Sequence, residues 1–269
     1  MHFLRSLFVG AVISACTLSV PARAQSQPHC AASKDMVFQI DQKIARNATG
    51  FTQGLEFYKG KLFESTGLLD GGTRLETITP GGAVTKLKNF GSLFFGEGLT
   101  ILDNQIYQLT WTEHRVGVYD LRGKLIRRMN NPREGWGLTH DGKNLIFSDG
   151  SAKLFFVSPK DFSVIRTLPI FSGTDPQAEL NELEYVDGKI YANIFMTDLI
   201  VRIDAQTGCV EATANLEDLR AAMTGSERRH IASDLNFVLN GIAYDPSHRL
   251  FYVTGKSWQS IFTGHFVDK

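Results

Sequence analysis

The sequence has few cysteines, few prolines and no excess of charge of either sign. Its 269 residues include three cysteines and eight prolines, and 28 Lys plus Arg balance 28 Asp plus Glu. A chain without net charge has no long-range field to attract nucleic acid, and no basic run is present for an anionic membrane surface. We therefore expect no nucleic-acid partner and a substrate that is recognised by local chemistry.

The familiar signatures of catalytic and cofactor sites are also missing. The chain contains no G-x-S-x-G, no H-E-x-x-H, no Walker loop and no G-x-G-x-x-G, and its seven histidines show no ligand spacing. These absences argue against a serine hydrolase elbow, a zincin, a nucleotide-binding loop and a dinucleotide fold. No metal site is predicted from the histidines.

Residues 1–24 have the pattern of an export signal. A short basic start, an apolar run and the sequence Ala22-Arg23-Ala24 predict cleavage after Ala24, so that the mature chain begins at Gln25. The stretch "ISAC" offers an alternative, in which Cys16 carries a lipid anchor. Either interpretation predicts an exported protein without a membrane span, located in a bacterial periplasm.

Two cysteines, Cys30 and Cys209, remain after export. An oxidising compartment favours one disulfide between them. Two separate buried thiols are the alternative, because sequence does not provide the Cα separation that a disulfide needs.

A hairpin pattern recurs five times along the chain. Each copy starts with a polar or aromatic residue, then Gly or Glu, then a short apolar strand, a turn and a second strand. The copies recur at intervals of roughly 40 to 60 residues, which suits a four-stranded propeller blade. The five segments are "FTQGLEFYKGKLFESTG" at 51–67, "FGEGLTILDNQIYQLTW" at 95–111, "GWGLTHDGKNLIFSDG" at 135–150, "LNELEYVDGKIYANIF" at 180–195 and "LNGIAYDPSHRLFYVTG" at 239–255.

The repeats predict an all-β fold, a five-bladed β-propeller of four-stranded antiparallel blades that forms a single domain over 25–269. The strand-like segment 36–46 is expected to close the ring by completing the last blade, since an open blade leaves an unpaired edge. Segment 217–236 lacks strand alternation and predicts a helical insertion. A two-sheet sandwich would not explain five copies of one hairpin.

The inner strands of a propeller begin around its axis. The polar or aromatic residue near the start of each repeat, which we call the repeated slot, is therefore predicted to contribute a side chain to a ring around that axis. The ring consists of Gln53, Glu97, Trp136, Asn181 and Asn240, and the ends of the second strands add Ser65, Trp111, Asp149, Phe195 and Lys256. Glu97 is the acid of the ring, and aromatic neighbours would desolvate it and raise its pKa towards neutrality. Such a carboxyl could move protons, or it could be a structural residue that caps strand ends.

Several motifs, in order over residues 36–266, resemble those of the glutaminyl-peptide cyclotransferases of the plant and bacterial type. They are "FTQGLEF", "FGEGLT", "LTW", "GWGLT", "LNELEY" and "TGKSW". The resemblance implies a five-bladed propeller that converts an N-terminal glutamine to pyroglutamate and releases ammonia. Peptides and proteins that begin with glutamine are then the expected partners.

The resemblance also implies roles for individual residues. Glu97 matches the family's general acid/base, and Gln53, Asn181 and Lys256 match polar residues that hold the γ-amide and the peptide backbone. The aromatic walls of the family's pocket are matched by Phe51, Phe95, Trp111 and Trp136. Phe195 stands where the family usually has tryptophan, which keeps a ring but removes an N–H donor.

The resemblance implies catalysis without a cofactor. We expect the protein to be a monomer. A structural divalent cation such as calcium in the channel is left open. Two other functions also stay open at this point. One is a metal-dependent, lactonase-like hydrolase whose cation is bound by Glu97, Asn181 and Asn240; the other is a non-catalytic propeller that binds peptide N-termini.

Overall fold

The computed structural model describes residues 30–67 and 72–269, and most of them lie in β-strands. The export signal, its cleavage position and Cys16 lie outside the described residues. In chain order the strands are β1 Lys34–Ala45, β2 Thr52–Tyr58, β3 Lys61–Thr66, β4 Thr73–Ile78, β5 Val84–Gly91, β6 Gly96–Leu102, β7 Gln105–Thr110, β8 Arg115–Asp120, β9 Leu125–Asn130, β10 Leu138–His140, β11 Leu145–Ser148, β12 Lys153–Val157, β13 Val164–Pro169, β14 Phe171–Ser172, β15 Asp175–Pro176, β16 Leu180–Val186, β17 Lys189–Ile194, β18 Leu199–Asp204, β19 Val210–Asn215, β20 Leu239–Asp245, β21 Leu250–Gly255 and β22 Ser260–Asp268.

The repeats form antiparallel sheets with one buried edge and one exposed edge. Strands β2–β5, β6–β9 and β10–β13 make three four-stranded sheets in sequential order. The first strand of a sheet is almost fully buried, as in β6, whereas the fourth alternates between exposed and half-buried residues, as in β9. The first strands contact one another in a cycle of β2, β6, β10, β16 and β20. An all-β fold is therefore confirmed, with the first strands at its centre.

One eight-stranded sheet contains both the first and the last of the described strands. Its order is β16-β17-β18-β19-β1-β22-β21-β20. Strand β1 pairs antiparallel with β22 from Met36 to Ala45, and parallel with β19 at Lys34 and Asp35. The N-terminal strand thus contacts both the last strand and the preceding sheet.

A short helical segment lies between β19 and β20. It consists of a 3₁₀ turn at Glu217–Arg220 and helix α1 at Gly225–Ile231, whose N-cap Thr224 accepts a bond from the backbone of Glu227. The buried Glu227 carboxylate accepts bonds from the backbone N–H groups of Gln259 and Ser260 and from the Ser260 hydroxyl. These bonds dock the helix on β22.

Cys30 and Cys209 form a disulfide, with their Cα atoms 5.4 Å apart. The disulfide expectation is confirmed and the two separate thiols are excluded. The bond ties the segment before β1 to the turn between β18 and β19. Within the part of the chain that the structure describes, no helix is long and apolar enough to cross a membrane.

A buried ion pair connects the end of β1 to the first and last sheets. The Arg46 guanidinium donates to Glu64 Oε1 at 2.7 Å, and both side chains are fully buried. Arg46 Nε also donates to the carbonyl of Trp258 at 3.1 Å, and Thr52 donates its hydroxyl to Glu64 at 2.6 Å. Removing one member of such a pair leaves the other charged and without compensation in the interior.

We therefore expect Arg46→Met to lower the free energy of unfolding by about 3–5 kcal/mol. Arg122→Met is the matched control, because Arg122 also pairs with a carboxylate but its side chain is 90% exposed. Denaturant titration of both variants measures the difference. Equal stability of the two variants would contradict a structural role for the buried pair.

Candidate active site

A cavity of about 310 Å³ opens at the end of the sheets where β2, β6 and β16 begin. Its walls combine rings with a few polar groups. The lining residues are Phe51, Gln53, Phe95, Glu97, Trp111, Trp136, Asn181, Phe195, Asn236 and Lys256. The nine residues predicted from sequence all line this cavity, and their roles stay predictions. The tenth lining residue, Asn236, was not predicted from the sequence.

Three polar side chains of the cavity, Gln53, Glu97 and Asn181, come from β-bulges at the starts of first strands. Pairing of β2 with β3 shifts at Gln53, pairing of β6 with β7 shifts across Glu97, and pairing of β16 with β17 shifts across Asn181. Each bulge places an extra residue on the inner strand and redirects its side chain. These three residues of the repeated slot therefore have no paired residue on the neighbouring strand.

Glycine follows two of these residues because the inner strands approach closely there. A Cβ atom on Gly54 would lie 2.3 Å from the backbone nitrogen of Leu99, and one on Gly98 would lie 2.5 Å from that of Leu138. No larger residue fits without moving the neighbouring strand. The glycines thus permit the close arrangement of the strands that carry Gln53 and Glu97.

Glu97 is a buried carboxyl with little hydrogen bonding. It is 5% exposed, and Gln53 Nε2 donates to its Oε1 at 3.1 Å. Burial raises the pKa of Glu97 well above its usual value of 4.5; the positive charge of Lys256 lowers that pKa, and the negative charges of Glu113 and Glu134 raise it. A carboxyl in this environment exchanges protons nearer to neutral pH than an exposed glutamate does.

Lys256 is a buried ammonium that is held against two rings. Its Nζ lies 5.2 Å from the ring centroid of Phe51 and 4.9 Å from that of Phe195. Burial lowers the pKa of Lys256 from 10.5, and the negative charge of Glu97 acts in the opposite direction. The lysine backbone is fixed by a bond from its N–H to the carbonyl of Val238. The cavity therefore contains a cation that the rings stabilise.

The aromatic walls pack edge to face in two groups. Phe95 contacts Trp111 at 5.7 Å between ring centroids and contacts Phe51 at 6.4 Å. On the other side, Trp136 contacts Phe195 at 5.3 Å. Such pairs favour fixed ring orientations. The rings thus form apolar walls around the cavity that contains the buried Glu97 carboxyl.

Three residues of the predicted rings do not line the cavity. Asn240 donates its amide to the carbonyl of Thr52 at 2.9 Å. Ser65 accepts a bond from Gln108, and Asp149 pairs with Arg133. These side chains satisfy neighbouring polar groups, so the slot alone does not decide which residues face the cavity.

Sequence reasoning also missed two residues at this site. Asn236 comes from the loop after the helical segment, which has no counterpart in the other repeats. Glu134 accepts bonds from the indole N–H groups of both Trp111 and Trp136, at 3.0 and 3.2 Å. The sequence shows only that Glu134 lies two residues before Trp136. The contact of Glu134 with Trp111 depends on the fold and could not be predicted from sequence.

Comparison with known proteins finds relatives over most of the chain. The model of the glutamine cyclotransferase family matches residues 11–266. The glutaminyl-peptide cyclotransferase of Arabidopsis thaliana is 35% identical over 229 residues, which cover 83% of this chain and 69% of that protein. The chain belongs to the glutamine cyclotransferase family.

A solved structure also supports membership of the glutamine cyclotransferase family. The crystal structure of Myxococcus xanthus glutaminyl cyclase aligns with a TM-score of 0.74 and 29% sequence identity. The alignment covers 88% of this chain and 99% of that one. The family assignment thus has both sequence and structural support.

The electrostatics of the cavity predict the effect of Lys256→Met. The substitution removes the positive charge that favours the ionised form of Glu97, so the pKa of Glu97 should rise further. Carbon-13 NMR titration of labelled glutamate carboxyls, with Glu97→Gln to identify the signal, measures the shift. Lys160→Met, in an exposed turn, is the control. A lower or unchanged pKa of Glu97 in Lys256→Met would contradict the expected coupling.

Proposed function

We propose that the protein converts the N-terminal glutamine of a peptide or protein to pyroglutamate and releases ammonia. The observation that carries this proposal is a water-shielded carboxyl, Glu97, next to amides and an ammonium in an aromatic cavity. Family membership supports the same reaction, since the Arabidopsis relative is named a glutaminyl-peptide cyclotransferase and the Myxococcus relative a glutaminyl cyclase.

The reaction requires one bond to form, one bond to break and one proton to move. The α-amine nitrogen of the substrate attacks Cδ of its own glutamine side chain, and the bond between Cδ and the amide nitrogen breaks. Glu97 accepts a proton from the attacking amine and gives it to the departing nitrogen, which leaves as ammonia. Glu97 ends in the state in which it began.

The other polar groups bind and polarise the substrate. Gln53 orients the Glu97 carboxyl through its 3.1 Å hydrogen bond. The Asn181 amide has no side-chain hydrogen bond within the described residues, so it is available to the γ-amide or backbone of a bound glutamine. Lys256 supplies positive charge for the oxyanion that develops on the γ-carbonyl. The rings hold the substrate in its bent conformation, and the intramolecular reaction supplies proximity.

The architecture that we propose is a five-bladed propeller in which β1 completes the last blade. The cyclic contacts of β2, β6, β10, β16 and β20 and the pairing of β1 with β22 support it. We also propose a monomer that is exported to the periplasm and is either cleaved after Ala24 or anchored at Cys16. The Cys30–Cys209 disulfide supports export alone, since such bonds persist in oxidising compartments.

A metal-dependent hydrolase is the less favoured alternative. Its proposed ligands were Glu97, Asn181 and Asn240, but Asn240 does not line the cavity and donates its amide to a backbone carbonyl. The ammonium of Lys256 occupies the same cavity and would repel a second cation next to Glu97. We propose that catalysis needs no metal.

Ammonia release from a Gln-initiated dipeptide should therefore persist after treatment with EDTA and dialysis into metal-free buffer. The rate constant before and after treatment is the measurement, with circular dichroism to show that the chain stays folded. Loss of activity that zinc or calcium restores, in a protein that remains folded, would contradict catalysis without metal.

The Glu97→Gln variant separates an enzyme from a peptide-binding module. We expect a folded protein whose ammonia release is slower by about 10²- to 10⁴-fold, because the glutamine side chain does not carry the proton. Glu179→Gln is the control, an exposed carboxylate two residues before Asn181. Turnover of Glu97→Gln at the wild-type rate would remove Glu97 from the mechanism. A wild-type protein that binds the dipeptide but releases no ammonia would be a binding module.

A further inference from the structure

We propose that Glu134 is a positioning residue of the active site, a single carboxylate that holds both tryptophan walls of the cavity in their working orientation. The proposal rests on the proposed function, because it concerns the same cavity. None of the motifs that indicate the family includes Glu134, which lies on the loop between β9 and β10.

The geometry is one oxygen with two donors. Trp111 Nε1 donates to Glu134 Oε2 at 3.0 Å, and Trp136 Nε1 donates to the same oxygen at 3.2 Å. Trp111 directly follows β7, whereas Trp136 precedes β10 in the next sheet. Glu134 therefore links two walls that come from different sheets. Bonds to an ionised acceptor are stronger than bonds between neutral groups.

Trp111 depends on this contact more than Trp136 does. Its side chain is 38% exposed, and its ring packing partner in the cavity is Phe95. An indole at a cavity rim has other rotamers available in solvent. The carboxylate of Glu134 selects one of them, the orientation in which the ring faces the substrate.

The loop that carries Glu134 is itself anchored on both sides. The guanidinium of Arg133 lies 4.3 Å from the ring centroid of Phe155 and pairs with Asp149 at 3.3 Å. The N–H of Gly135 donates to the carbonyl of Trp111 at 3.2 Å. A supporting group on an anchored loop holds its partners at low entropic cost. Glu134 is thus preorganised although its side chain is exposed.

The contribution of Glu134 to stability should be small. An exposed carboxylate that loses its partners is hydrated by water, and exposed charged contacts contribute little to folding. Its effect should therefore appear in substrate binding. A loosened Trp111 or Trp136 would enlarge the cavity and reduce the fraction of enzyme with the bent glutamine correctly oriented.

Glu134 also adds negative charge near Glu97. The groups that act on Glu97 are the amide of Gln53, the ammonium of Lys256 and the carboxylates of Glu113 and Glu134. A neighbouring negative charge disfavours ionisation, so removing it should lower the pKa of Glu97. Because Glu134 is exposed, salt should weaken this effect.

Two substitutions separate the contact from the charge. Glu134→Gln keeps an oxygen acceptor for the indoles and removes the negative charge. Glu134→Ala removes both. We expect KM for a Gln-initiated dipeptide to rise about tenfold in Glu134→Ala, with a smaller fall in kcat, through loss of two charge-assisted bonds. In Glu134→Gln, KM should stay near the wild-type value.

The pH profile of kcat should change in both variants. Glu97 must be ionised to accept a proton, so kcat rises with pH through the pKa of Glu97. In Glu134→Gln and Glu134→Ala this acid limb should move to lower pH by a few tenths of a unit, and less at high salt. A structural role alone would not move it.

The matched controls are Glu179→Gln and Glu179→Ala. Glu179 is exposed and lies two residues before Asn181, as Glu134 lies two residues before Trp136. Its side chain has no hydrogen bond within the described part of the chain. Both control variants should retain the KM and the pH profile of the wild type.

Acrylamide quenching of tryptophan fluorescence tests the indole contact without turnover. The third tryptophan, Trp258, is fully buried, so Trp111 and Trp136 should dominate the quenching. Quenching should increase in Glu134→Ala and stay near wild type in Glu134→Gln and in both Glu179 variants. Thermal denaturation should show that all variants are folded.

The outcomes distinguish this proposal from the proposed function. Wild-type KM and wild-type quenching in Glu134→Ala would overturn the positioning role, as would equal effects of Glu179→Ala. If the wild-type protein releases no ammonia, the proposed function fails, and the quenching of Glu134→Ala still decides whether Glu134 holds the indoles.

Discussion

A carboxyl and an ammonium that are both buried in one small aromatic cavity are the feature on which the rest of the site depends. Burial favours the neutral form of Glu97 and of Lys256, whereas each charge favours the ionised form of the other. Within residues 30–67 and 72–269, neither Glu97 nor Lys256 forms a close ion pair. This balance leaves the Glu97 proton available for transfer.

The fold maintains that balance by bringing distant parts of the chain together. Gln53 and Glu97 come from bulges in two neighbouring inner strands, and glycines allow those strands to approach. Lys256 follows the second strand of the last repeat, and its ammonium lies over the ring of Phe51, the first residue of the first repeat. Buried Arg46 donates both to Glu64 in the first sheet and to the carbonyl of Trp258, two residues after Lys256, so it links these two parts of the chain.

Much of the site could be predicted from the repeated hairpin, because residues in equivalent positions of the repeats meet at one end of the sheets. Gln53, Glu97 and Asn181 follow from this rule, and so do Trp111, Phe195 and Lys256 at the ends of second strands. The rule fails for Asn240, Ser65 and Asp149, whose side chains contact neighbouring polar groups instead. Asn236 and Glu134 lie outside the repeat, and their roles depend on which loops meet in space. The Cys30–Cys209 bond, across 179 residues, could be expected from the compartment but not from any local pattern.

Burial should keep the Glu97 carboxyl protonated well above the pH at which an exposed glutamate ionises. Infrared titration of the carboxyl C=O band in the wild-type protein, with Glu97→Gln as the reference spectrum, measures this directly. We expect a band that is absent from Glu97→Gln and that persists well above pH 4.5. A Glu97 carboxyl that ionises near pH 4.5 would contradict it.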